Sequence, residues 1–77
     1  MNTIELIYHN NNKIEIKQMF VVKNIVSVHV EKEKTELSII YSIKIYTSDG
    51  ECFKNRYNTF EEAQAEYDRF CKAIENE

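Results

Sequence analysis

The chain holds a single glycine, Gly50, and no proline, and that glycine disciplines everything around it. It closes the triplet Ser48-Asp49-Gly50, the clearest turn signal in the chain, between two runs of alternating side chains. A two-residue loop at Asp49-Gly50 would set Ile45 beside Lys54 and Ile43 beside Arg56. A three-residue loop, with Gly50 in the left-handed region, instead sets Ile45 beside Phe53 and Tyr41 beside Tyr57. A slip of one residue turns every side chain to the opposite face, so the pattern selects the three-residue loop. The register has one weak point: Asn55 falls opposite Ile43.

Upstream, Thr3 to Tyr8 alternates, with Ile4, Leu6 and Tyr8 on the stronger apolar side. Asn10-Asn11-Asn12 marks a turn, because Asn tolerates left-handed backbone and bonds its own main chain. Ile14 and Ile16 then alternate with Lys13, Glu15 and Lys17, which completes a hairpin. Met19-Phe20-Val21-Val22 is uniformly apolar, so alternation does not assign its faces. Ile25 to Val30 is a third strand, with Val26, Val28 and Val30 against Ser27 and His29. Glu31 to Glu36 reads as a mobile, solubilising hairpin tip. Leu37 to Thr47 is the longest strand, with Ile39, Tyr41, Ile43 and Ile45 on one face.

After residue 57 the period changes from two to that of a helix. Thr59 is an N-cap and Glu62, three residues on, completes the capping pattern. Phe60, Ala63, Tyr67, Phe70 and Ile74 form one apolar stripe, while Gln64, Glu66, Asp68, Arg69 and Lys72 lie off it. Glu61 and Glu62 complement the positive end of the helix dipole. The stripe should cover Ile43, Ile45 and Phe53.

The expected fold is therefore α+β: a five-stranded antiparallel β-meander with one C-terminal α-helix packed on one face. The strands fall at about 3–8, 13–22, 25–31, 37–47 and 51–57, and the helix at about 60–75, in one domain. This order of elements is similar to that of some small bacterial proteins, including the flagellar FlbD-like family. The shared features are a strand near Asn24-Ile25-Val26, a hairpin closed by Gly50 and a helix start at Phe60-Glu61-Glu62-Ala63. These turn and capping residues recur in many folds, and no function follows from them.

With 77 residues there is room for one modest core. No apolar run approaches the ~20 residues of a membrane helix, and the first residues lack a basic, then apolar, leader pattern. The expectation is a cytoplasmic chain whose two cysteines, Cys52 and Cys71, are free thiols. Charge is uneven: residues 1–58 carry eight basic and seven acidic side chains, residues 59–77 two and six. The helix is thus the acidic side and the sheet the relatively basic one. Abundant Asn, Lys, Ile and Glu suit an AT-rich coding sequence, as in low-GC bacteria and their phages.

Chemistry is sparse. A nucleophile needs a base within hydrogen-bond reach and a group to orient it, whereas His9 sits at the edge of the Asn turn and His29 alternates outward on the third strand, as two surface histidines. No Gly-rich loop is available to cradle phosphate. His9, His29, Cys52 and Cys71 have none of the close pairing of a zinc module. No enzyme, cofactor, metal or small-molecule substrate is expected.

The face opposite the helix carries the remaining signal. Lys44, Tyr46, Lys54 and Arg56 share it with Ile40, an apolar residue where a one-sided sheet should be polar. Two partners suit such a face. A protein partner, or a second copy of the chain, would use Ile40 as apolar centre with Tyr46 and Arg56 as anchors. A single-stranded nucleic acid would use the cations for phosphate and Tyr46 for stacking. The first is the leading expectation: a small adaptor, regulator or inhibitor of a larger protein, of phage or mobile-element origin on composition. The second is the alternative.

Overall fold

A computed structural model describes residues 2–9 and 12–77. The strands are β1 (Thr3–His9), β2 (Glu15–Val21), β3 (Ile25–Lys34), β4 (Ile39–Thr47) and β5 (Cys52–Tyr57), and the helix is α1 (Phe60–Glu75). The fold is α+β with antiparallel pairing, but it is not one five-stranded meander. β1 and β2 form their own hairpin, and β3, β4 and β5 form a separate three-stranded sheet. The break lies at Val22–Asn24, a single 3-10 turn in which the Ile25 N–H returns to the Val22 carbonyl.

Width explains the break. Five strands spaced ~4.8 Å apart would span ~19 Å, about twice the ~10 Å breadth of a helix. α1 alone would leave half of a flat sheet's apolar face in water. Turning β1–β2 over as a second cover brings Ile4, Leu6 and Phe20 onto Ile43, Ile45 and Phe70, all buried. Phe20 stands at the centre, edge-on to Phe53 at 4.9 Å and to Phe70 at 5.9 Å between ring centroids. In the ambiguous apolar run, Phe20 and Val22 point inward and Met19 outward. Two of the three Asn turn positions, 10 and 11, lie outside the described residues; Lys13, just beyond, has φ 62°.

The last hairpin adopts the three-residue loop. Ile45 pairs with Phe53, Ile43 with Asn55 and Tyr41 with Tyr57, and Gly50 takes φ 87°. Asn55 finds two acceptors on the inner side. Its amide donates to the Tyr57 hydroxyl at 3.0 Å and to the Ile7 carbonyl at 3.4 Å. Arg69, held by Glu66 at 2.8 Å, donates to the Glu5 carbonyl. The Ile7 and Glu5 carbonyls both lie on β1, so sheet and helix each grip its backbone.

β3 departs from simple alternation. A bulge between Ile25 and Ser27 buries Ile25 and leaves Val26 68% exposed. The charged stretch expected as a tip instead extends β3 through Lys34, and the turn proper is 35–38. There the Thr35 N–H and hydroxyl donate to the Ser38 carbonyl at 2.8 and 2.9 Å. The Leu37 and Ser38 N–H groups donate back to Thr35 Oγ1 at 3.3 and 3.0 Å. Leu37, expected to begin a strand, sits in this turn.

α1 begins as expected. The Glu62 N–H donates to Thr59 Oγ1 at 3.2 Å, and that hydroxyl donates to the Glu62 carboxylate at 3.0 Å. Only the middle of the apolar stripe is covered. Ala63 and Phe70 are buried, whereas Phe60 and Ile74 at the ends are exposed. The helix is longer than the core beneath it, so its first turn overhangs.

Candidate functional site: the outer sheet face and the β3–β4 arm

Neither α1 nor the β1–β2 hairpin covers the outer face of the three-stranded sheet. Registration arranges it in rows: Ser27, Tyr46 and Cys52; His29, Lys44 and Lys54; Glu31, Ser42 and Arg56; Glu33 and Ile40. Ile40, Lys44, Tyr46, Lys54 and Arg56 thus share one face. They do not form one cluster. Lys44, Lys54 and Arg56 are neighbours, and Tyr46 is one row beyond. Ile40 lies six residues from Tyr46 on the same strand, ~20 Å at 3.3 Å per residue. Ile40 is also half-buried, so it does not stand as an apolar centre for the cations.

Glu31 changes the electrostatics of this face. From β3 it reaches diagonally to Lys44 at 2.8 Å. The Lys44 hydrogen bond holds the Glu31 carboxyl below its usual range, helped by the charges of Lys44, Lys54 and His29 and opposed by partial burial. The same bond holds the Lys44 ammonium above its usual range. Lys54 and Arg56 are exposed and have no ion pair among the described residues. His9 joins them beside an open notch that Asn55 also lines. His29 lies edge-on to Tyr46 at 5.6 Å. The signal for Glu31 was present in the sequence: it continues the outward parity of Ser27 and His29. A run of alternating charge hid it.

A second surface emerges only in three dimensions. β5 reaches no further along β4 than Tyr41, so the Lys34–Ile39 and Glu33–Ile40 rungs and the turn at 35–38 project as a two-stranded arm. On the arm's helix-facing side Ile39 is 41% exposed, and at its tip Leu37 is 97% exposed. The overhanging Phe60, 46% exposed, lies edge-on to Tyr41 at 5.7 Å. Lys32 and Lys34 flank these residues from β3, opposite Tyr41 and Ile39.

Among the described residues no group of three or more His, Cys, Asp or Glu side chains is placed to hold a metal ion. Cys52 is exposed and Cys71 half-buried; neither is bridged. Among the same residues no helix is long and apolar enough to cross a membrane. No family model, curated protein or solved structure matches this chain, so the shared order of elements with the flagellar FlbD-like family stands without a matching family model.

Proposed function

We propose that this chain is a small, non-enzymatic protein-interaction module whose contact is centred on the β3–β4 arm. One observation carries the reading: Leu37 and Ile39 are exposed on a projecting hairpin whose turn Thr35 holds by hydrogen bonds, and the exposed Phe60 of α1 lies against Tyr41 at its base. A large apolar side chain gains ~1.5–3 kcal/mol on full burial. Contiguous apolar residues with a charged rim are the usual anatomy of a contact surface. An adaptor, regulator or inhibitor would present such an arm to a larger protein.

Single-stranded nucleic acid is the second reading, and the adjacent Lys54 and Arg56, without an ion pair among the described residues, favour it. Lys44 contributes less than expected, because phosphate would have to displace Glu31. Two phosphate contacts predict a log–log salt slope of about −1.4 on a single strand, at ~0.7 per contact.

Capture from a nuclease-treated lysate of the source cell, with the tagged full chain and its Leu37→Ser, Ile39→Ser variant, tests the reading. The expected result is a protein retained by the parent chain and lost by the variant. Capture that nuclease abolishes and the variant retains would overturn it in favour of nucleic acid.

A further inference from the structure

Each sheet ends in two edge strands: β1 and β2 in the hairpin, β3 and β5 in the three-stranded sheet. On β1 the Glu5 and Ile7 carbonyls are taken by Arg69 and Asn55. On β2 the Met19 carbonyl accepts from the Gln18 side chain at 3.2 Å. β3 is interrupted by its bulge between Ile25 and Ser27 and ends in charges of alternating sign. β5 has no such cover. The Thr47 N–H donates to the Glu51 carbonyl at 3.0 Å, and bonded and non-bonded pairs alternate along an antiparallel ladder. Phe53, Asn55 and Tyr57 therefore spend their backbone groups on β4. Those of Cys52, Lys54 and Arg56 point away from it, with no hydrogen bond among the described residues. They open beside the notch that His9 flanks, and among the described residues no carboxylate lines that notch.

A row of outward N–H and C=O groups is complemented by the backbone of another extended chain. Side chains brought opposite one another across a ladder share a face, and opposite charges there stabilise the pair. Lys54 and Arg56 stand two residues apart on the outer face, exposed and without an ion pair among the described residues. Lysine on an edge strand commonly guards against pairing with another copy of the same chain, and two β5 strands laid side by side would bring their cations together on one face. That guard is selective. A strand with acids at alternate positions meets both cations favourably. From this we infer that β5 is a docking edge for an extended acidic segment of a partner protein, which adds as a fourth strand to the β3–β4–β5 sheet. The contact is separate from the apolar arm and does not depend on it.

The test adds a capped peptide of about six residues, Glu alternating with Thr or Val, to the isotopically labelled full chain. Amide exchange at Lys54 and Arg56 should slow, while Phe53 and Asn55, already bonded to β4, change less. N-methylating one alternate set of peptide residues should abolish binding, and methylating the other set should spare it. The Glu set is the sensitive one if the strand adds antiparallel, the Thr or Val set if it adds parallel. Lys54→Glu, Arg56→Glu, shown by circular dichroism to be folded, should weaken binding about tenfold or more and should accept the peptide with Lys in place of Glu. Leu37→Ser, Ile39→Ser should bind the peptide as the parent chain does, so failure at the arm and failure at this edge are read separately. No binding with peptide on the order of 1 mM would overturn the inference, and so would binding that both methylated peptides retain. A single-stranded oligonucleotide that displaces the peptide at a lower concentration would also overturn it, giving the two cations to nucleic acid.

Discussion

The Asn55 amide donates to the carbonyl of Ile7, 48 residues away in sequence, at 3.4 Å. This bond joins the two sheets, and the same amide holds the Tyr57 hydroxyl at 3.0 Å. The polar residue that looked misplaced opposite Ile43 is the one that fastens β1 to β5. Asn55→Leu keeps the shape and removes both bonds. At ~1 kcal/mol per hydrogen bond, a loss of about 1–2 kcal/mol is expected in urea melts, with faster amide exchange in β1 than in β4. Unchanged stability and protection would show that packing alone holds the hairpin down.

Phe70 is fully buried between the sheet and Phe20. Phe70→Ala should cost ~3–5 kcal/mol, a large part of a small domain's stability. Lys72→Ala, on the exposed side of the helix, should stay within ~0.5 kcal/mol. Glu66 is no neutral control despite lying off the stripe, because it holds Arg69 against the β1 backbone. Equal losses at Phe70 and Lys72 would contradict the packing.

At Gly50 an added Cβ meets nothing within 4 Å, so the cost of Gly50→Ala is conformational. Left-handed backbone is disfavoured for L-residues by ~1–2 kcal/mol, and that is the expected loss. Gly50→Asn should lose less, since Asn tolerates this region. A neutral Gly50→Ala would indicate a different loop in solution.

The Glu31–Lys44 pair gives a pH signature of known sign. The Glu31 carboxyl lies below its ordinary value of 4.5 in the folded chain. Its contribution is therefore present above that value and lost as pH falls through the depressed one. Carboxyl NMR titration should place the Glu31 midpoint below 4.5, and Lys44→Met should move it upward. A midpoint that ignores Lys44 would mean the bond is not populated in solution.

Legibility in the sequence followed the kind of information each residue carries. Alternation reports which face a side chain takes. That sufficed for the Gly50 hairpin, where one slip would have exposed Phe53, and for the shared face of Lys44, Tyr46, Lys54 and Arg56. It says nothing about which edge pairs with which, so the division into two sheets stayed hidden behind Met19 to Val22. The bulge that expels Val26 is equally invisible, since Ile25 and Val26 are interchangeable to any apolar pattern. Leu37 reads as the start of a strand because only the Thr35 turn, a local hydrogen-bond arrangement, takes it out. The exposed arm depends on how far β5 runs beside β4, a matter of relative length that no local pattern encodes.

β3 is an edge strand of the three-stranded sheet, and its last four residues place Glu31 and Glu33 on the outer face and Lys32 and Lys34 on the inner one. If two copies joined edge to edge by antiparallel strand addition, residues brought opposite one another would have to share a face. Within this stretch an acid could then meet only an acid, and a lysine only a lysine. Like charges directly opposed across strands are destabilising, and charged edges are a known guard against unwanted sheet growth. Read along the strand the charges alternate and look balanced; read across a seam between copies they clash. The arm can therefore offer its apolar face to a partner while its open backbone edge resists polymerisation into a continuous sheet.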